Sequence, residues 1–286
     1  MKRCVFTINL NLDYVYDDTH LNAKSQRFCS KAMSIYTLYF SEISHMQKQY
    51  ADFCNADYLI CNGADFKDFE IKYHKMYPIA SPYDVAQYFK IHMCEHLSAH
   101  YDEILYLDFD VLIGKVKQNF FTSWNLENGI VIKDQRFNVS NFQYKSSSQT
   151  SSREIKAYLA HEVLQRMGEL SYDPKHVPHM NTGLIGCTEK SIKSVNFFEY
   201  LPSLHRHLSD MWKNKEQNWE QVRNSNEIVF TIAYLLEQFN LQSIVGDYNI
   251  WHKKANGVDD MNSVLLHCTG KDWISIYMDQ YEYDTI

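Results

Sequence analysis

The stretch YDEILYLDFDVLI, Tyr101 to Ile113, constrains the fold more than any other. From Ile104 to Ile113 only two aspartates, Asp108 and Asp110, interrupt an apolar run. A run this apolar reads as a strand buried on both faces, in the middle of a sheet with helices above and below it. Short apolar runs alternate with amphipathic stretches along the rest of the chain. The expected fold class is therefore α/β, a mixed, mostly parallel central sheet flanked by helices.

CVFTINL (4 to 10) reads as the first strand and DYLICNG (57 to 63) as another, separated by helical spacing of apolar residues from about 25 to 50. SPYDVAQYFKIHMCEHLSAH (81 to 100) has the marks of a helix. Ser81 suits the N-cap, Pro82 the first helical position, and Asp84 can reach back to the cap. Val85, Phe89, Met93 and Leu97 form its buried stripe. GIVIKD (129 to 134) reads as a strand ending in a carboxylate, TGLIGCT (182 to 188) as another strand, and EIVFTIAYLLEQF (227 to 239) as an apolar helix. SIVGDYNIW and SVLLHCTG read as late strands or loops. The Ser, Asn and Gln of 138 to 156 show no apolar period and predict a loop, within an insertion spanning 138 to 177. A short acidic, aromatic tail occupies 274 to 286. With no internal repeat and no linker, residues 1 to 286 are expected to form a single domain.

A formal net charge of -7 argues against nucleic acid as a partner, because phosphate binding needs clustered Lys and Arg. Seven cysteines scattered singly, with no CxxC pair, suit reduced thiols in a cytoplasmic protein. MKRCVFTINLNLDY makes a poor signal peptide, and nowhere do 18 apolar residues run together, so no transmembrane segment is expected.

In an extended strand residues two apart share a side, so Asp108 and Asp110 are expected to project together. Two adjacent carboxylates repel, and a divalent cation relieves the repulsion. The alternative is a pair of solvated turn aspartates. VLLHCTGKDW (264 to 273) adds His267 after an apolar run, then Gly270, Lys271 and Trp273. One imidazole nitrogen with two carboxylates suits Mn²⁺. Glycine lets a phosphate approach the backbone and lysine neutralises it. Taken alone, His267 reads more readily as a satisfied buried histidine; beside the glycine and lysine the ligand reading gains.

These residues resemble a family. YLDFDVLI is similar to the DxD motif of GT-A fold glycosyltransferases, and HCTGKDW looks like a shortened HxxGxxKPW motif of glycosyltransferase family 8, the glycogenin and bacterial galactosyltransferase group. TINLNLDYVY resembles the family's nucleoside-holding first strand, FFTSWNLENGIVIKD its segment after DxD, and HMNTGLIGCT its FNxG strand, here Asn181 and Gly183. The ordered set runs from about Thr7 to Trp273 and implies a divergent, metal-dependent hexosyltransferase.

Such an enzyme would use Mn²⁺ or Mg²⁺ and a nucleotide diphosphate sugar, with UDP favoured, and a glycan, protein or small-molecule acceptor. Asp108 would contact the ribose or the metal, Asp110 and His267 would bind the metal, and Lys271 would bind the diphosphate beside Gly270. Gly183 is counted with the donor site. Lys90 lies where the family often has an arginine that reaches the donor; an exposed helix lysine is the competing reading. Asn181 and Asp134 would bond sugar hydroxyls, and Asn9, Asp13 and Tyr14 would meet the nucleoside. The family's DQ pair is Asn226 and Glu227 here, which makes Glu227 a candidate general base or acceptor ligand. HCTGKDW also lacks the proline and one residue before the lysine. The resemblance implies retention of configuration, whereas Glu227 or Asp134 as an in-line base would suit inversion.

Two rivals remain. The DxDx[TV] motif of haloacid dehalogenase phosphatases also fits LDFDV, although there it normally opens the chain. A non-catalytic carbohydrate-binding relative could use the 21 tyrosines and five tryptophans for stacking.

Overall fold

The computed structural model describes residues 1–10, 23–76, 82–142, 151–169, 171–213, 225–244, 252–254, 262–268 and 273–278. Among these, the strands are β1 (Arg3–Asn9), β2 (Asp57–Asn62), β3 (Glu103–Leu107), β4 (Val111–Ile113), β5 (Ile130–Phe137), β6 (Val177–Cys187), β7 (Leu241–Ser243), β8 (His252–Lys254) and β9 (Leu265–His267). The helices are α1 (Ala23–Phe53), α2 (Gly63–Met76), α3 (Pro82–Leu97), α4 (Phe120–Ser123), α5 (Ser152–Met167), α6 (Glu189–Ser194), α7 (Phe197–Lys213) and α8 (Ser225–Leu235), with a further helical turn over 273–278.

Six strands form the main sheet in the order β2-β1-β3-β6-β5-β7. β1 runs parallel to β2 and β3, β6 runs antiparallel to β3 and β5, and β7 is parallel to β5. The expected α/β class, with its mixed, flanked sheet, is what the chain forms. A small second sheet, β4-β9-β8, stands beside it.

The period of two in the strands sorts the core into two layers. Cys4 and Phe6 of β1, Ile104 and Tyr106 of β3, and Ile130 and Ile132 of β5 face one cluster, built with α2, α3 and α5 to α8. Val5, Leu105, Leu107 and Val131 face the other, built with α1, α4, β4, β9 and the 273–278 turn. Covering both faces is why β3 is apolar from Ile104 to Leu107. Burying a Leu or Phe side chain stabilises by roughly 1.5–3 kcal/mol, so the apolar residues on both faces of the central strands hold the sheet between its two layers.

The helix expected at 81 to 100 is α3, and its stripe of Val85, Phe89, Met93 and Leu97 is buried. Ser81 lies outside the described residues.

Three expectations need correction. YLDFDVLI is not one strand: β3 stops at Leu107, Val111 N donates to Asp108 O at 3.0 Å to close a turn, and β4 enters the other sheet. Asp108 and Asp110 come together through this turn, not through strand alternation. GIVIKD does not end at its carboxylate, because β5 runs on to Phe137 and leaves Asp134 in mid-strand opposite Met180.

The loop expected over 138 to 156, within the 138 to 177 insertion, gives way to α5. Ser151 caps its start by accepting from Glu154 N, and Gly168, at φ 81°, ends it in the left-handed conformation that glycine adopts without strain. Leu159, Ala160, Val163 and Leu164 bury it against the core. In the tail, Ile274, Tyr277 and Met278 pack into the second core layer.

Candidate active site

The turn from Asp108 to Val111 is stitched on both sides. Asp108 N donates to Gly183 O of β6 at 2.8 Å, and Cys268 N donates to Asp110 O at 2.8 Å. β4 pairs with β9 so that Val111 lies opposite His267. Beneath the turn, the fully buried Gln47 of α1 donates both amide hydrogens, to Asp108 O at 3.1 Å and Val111 O at 3.0 Å, and accepts from Tyr58 OH at 3.2 Å. The bonds to Asp108, Asp110 and Val111 fix the turn's backbone, and with it the points from which both carboxylates project.

Asp108, Asp110 and His267 each offer a ligand atom within 4.8 Å of the others. His267 Nε2 is 3.4 Å from Asp110 Oδ1, and both side chains are buried. The ring can sit there because residue 183 has no side chain: a Cβ on Gly183 would fall 2.4 Å from His267 Cε1. Two carboxylates and one imidazole in a shared, glycine-made cradle fit a divalent cation that accepts mixed N and O ligands. The solvated-turn alternative fails on burial, since Asp110 is only 4% exposed.

Lys90, on α3, is buried and not an exposed helix lysine. Its Nζ lies 3.3 Å from Asp108 Oδ1 and donates to Thr182 O at 3.1 Å, and it stands 5.3 Å from the Tyr106 ring centroid. Tyr106 OH also donates to Asp108 Oδ1. Burial first, and then the Asp108 charge, push the Tyr106 phenol well above its ordinary pKa, so it remains a donor. Both contacts fall on Oδ1, which restrains the carboxylate's rotation.

Asn9 ends β1 beside the turn. It accepts from Tyr36 OH at 2.7 Å, and the Tyr36 ring meets Phe109 edge-on at 4.4 Å. Asn181 Oδ1 accepts from Gly183 N at 3.2 Å. These residues therefore gather at the carboxyl ends of β1 and β3, where open α/β sheets bind ligands. Asp13, Tyr14, Gly270 and Lys271 lie outside the described residues.

The two other candidate carboxylates already have partners. Asp134 Oδ2 accepts from Arg136 Nε at 2.8 Å, and Oδ1 accepts from Ser243. Glu227 Oε2 is held by Lys156 and by His179 Nε2, the latter at 3.0 Å, all three buried. Burial alone would raise the Glu227 pKa. The Lys156 and His179 charges and hydrogen bonds outweigh it and hold the carboxyl well below the usual carboxylate range.

Sequence reasoning missed Gln47, Tyr106, Lys156 and His179 as parts of this site. It noted Asn226 only for its departure from the family pair. Asn226 donates to Thr182 Oγ1 at 2.7 Å, while its buried Oδ1 has no hydrogen-bond partner among the described residues, which marks a polar position open to a ligand. A polar residue in the first turn of an otherwise apolar helix was the available signal.

No protein-family model matches the sequence, and no curated relative matches it. Among the solved structures it resembles are several glycosyltransferases. One is involved in glycosylation of the major capsid of PBCV-1, with 8% identity, a TM-score of 0.44, and 98% of this chain and 100% of that chain covered. Another is mouse xyloside xylosyltransferase 1 in its apo form, with 12% identity and a TM-score of 0.45, covering 94% of this chain and 98% of that one. A third is the galactosyltransferase LgtC in complex with donor and acceptor sugar analogues, with 12% identity and a TM-score of 0.37, covering 95% of this chain and 94% of that one. At such scores the likeness says nothing of chemistry, which rests on this chain's own residues.

Proposed function

We propose that this chain is a single-domain, GT-A-type glycosyltransferase that moves a sugar from a nucleotide diphosphate sugar, a UDP-sugar by preference, to a hydroxyl of a glycan, protein or small molecule. The observation that supports it best is the convergence of Asp108, Asp110 and His267 at a turn braced from four directions. These three residues would hold Mn²⁺ or Mg²⁺, which when bound neutralises charge developing on the diphosphate leaving group.

The remaining roles are assigned from the contacts of the described residues and, for Asp13, Tyr14, Gly270 and Lys271, from the sequence resemblance alone. Lys90 and Tyr106 orient Asp108, Gly183 makes room for His267, and Asn9, with Asp13 and Tyr14, receives the nucleoside. Asn226 Oδ1 and Asn181 face the donor sugar, and Gly270 and Lys271 meet the diphosphate.

A general base works best with a pKa near the operating pH. Glu227 is far below that, and both Asp134 oxygens are engaged, so neither is assigned as an in-line base. Glu227 acts as a positioning residue beside Asn226, and Asp134 positions the end of β5. Transfer with retention needs no such base, and retention is the outcome we assign. The buried thiols of Cys4, Cys54, Cys61, Cys94 and Cys187, none of them in a disulfide, support a cytoplasmic location.

Thermal shift with a panel of nucleotide sugars, with and without Mn²⁺, tests the donor site. Stabilisation by a UDP-sugar that needs Mn²⁺ supports the reading, and no response from any nucleotide sugar contradicts it. Proton NMR of the first-formed product assigns the anomer, and an inverted product overturns retention.

A further inference from the structure

The solvent side of α3 holds chemistry that the proposed reaction does not use. His92, His96 and His100 follow one another at intervals of four, in the sequence HMCEHLSAH. On a helix this spacing stacks side chains on one face, the arrangement by which paired histidines chelate zinc-type ions. The His92 and His96 rings are stacked, 6.3 Å apart at 22°, and the His96 and His100 rings lie 5.8 Å apart. Glu95, three residues after His92, shares this face.

The His92 ring is already positioned. It packs 4.8 Å from the ring of Phe69 on α2 and 6.3 Å from that of Phe89, and it is partly exposed, while His96 is exposed. A zinc-to-nitrogen distance of about 2 Å places the centroids of two imidazoles sharing an ion about 5 Å apart. The observed separation differs from this by roughly an ångström, which a small rotation of the exposed His96 side chain closes.

We infer that His92 and His96 form a second metal site, on the outer face of α3, that takes nitrogen-preferring divalent ions of the Zn²⁺, Ni²⁺ and Cu²⁺ class. His100, in the turn after the helix, offers a further imidazole. Its ligand chemistry differs from that of the Asp108, Asp110 and His267 group, where oxygens predominate and Mn²⁺ or Mg²⁺ is better suited. The two sites are therefore separable by choice of ion.

The test is calorimetric titration of the untagged, EDTA-treated full chain with Ni²⁺. Asp110→Ala is expected to keep the α3 site with unchanged affinity. His96→Ala is expected to weaken that binding at least tenfold, and His92→Ala to do the same. His96 is exposed, so its variant folds as the parent does, and circular dichroism checks the His92 variant, whose ring packs on Phe69. Unchanged Ni²⁺ affinity in His96→Ala, or loss of all Ni²⁺ binding in Asp110→Ala, overturns the inference.

Discussion

Gly183 and His267 occupy adjoining space: the Cβ of any other residue at 183 would lie 2.4 Å from Cε1 and 2.9 Å from Nε2 of the imidazole. Gly183 also accepts from Asp108 N, so one backbone position serves two of the three candidate ligands.

Gly183→Ala is therefore expected to push His267 aside while leaving the apolar core intact. Disturbing a group that orients metal ligands costs about 10–100-fold in metal affinity. Mn²⁺ titration followed calorimetrically checks this, with thermal unfolding of the metal-free variant as the control for the fold.

Gln47 makes a similar case through the backbone. Gln47→Leu keeps the approximate volume but removes an amide donor from the Val111 carbonyl and the acceptor of the Tyr58 hydroxyl, while the Asp108 carbonyl keeps only its bond from Val111 N. Each buried polar group left unsatisfied costs about 1–3 kcal/mol. Urea unfolding is expected to show at least one such loss, together with weaker Mn²⁺ binding, because the turn that aims both carboxylates is loosened.

Glu227, Lys156 and His179 give a prediction in stability and in pH. Removing one partner of a buried ion pair costs about 3–5 kcal/mol, whereas apolar replacement of both is often neutral. Glu227→Gln is thus expected to be much less stable than Lys156→Met/Glu227→Leu, and urea unfolding of the two variants decides it. The folded Glu227 pKa lies below the unfolded value of about 4.3. Its ionised form contributes stability that is fully present above pH ~4.3 and lost as the pH falls through the folded value. In unfolding measurements from pH 6 to pH 3 the parent is expected to lose more stability than Glu227→Gln.

The aspartate chemistry separates the proposal from its phosphatase rival. With Mg²⁺ and p-nitrophenyl phosphate the protein is expected to release no nitrophenol above the rate without protein. A colorimetric assay reads this directly, and turnover abolished by Asp108→Asn would favour the rival.

Much of the fold was legible because burial leaves periodic traces. β3 shows both its faces in EILYL, and α3 shows its buried stripe in PYDVAQYFKIHMCEHL. α5 was hidden because Lys156 and His161 are buried beside Leu159, Ala160, Val163 and Leu164, so charge interrupts the apolar stripe that marks a helix. Lys156 is buried because its partner, Glu227, is 71 residues away, a relation with no local signal.

The site shows the same division. Asp108, Asp110 and His267 could be named from residue type and motif order, and Lys90 was named with its burial undecided. The turn between the aspartates was not legible, since an apolar residue on each side of LDFDV reads as continuous strand. Gln47 could not be found at all: it stands 61 residues from Asp108, in a helix whose pattern gives no hint of what its amide meets.

The most direct test is donor-sugar hydrolysis and transfer by the purified protein, across a panel of nucleotide sugars, with Mn²⁺ present, with EDTA, and in Asp110→Ala. Turnover of at least one UDP-sugar that needs Mn²⁺ and falls at least a hundredfold with EDTA or in the variant is the predicted result. Turnover unchanged by both EDTA and Asp110→Ala would contradict a metal-assisted transfer at this turn.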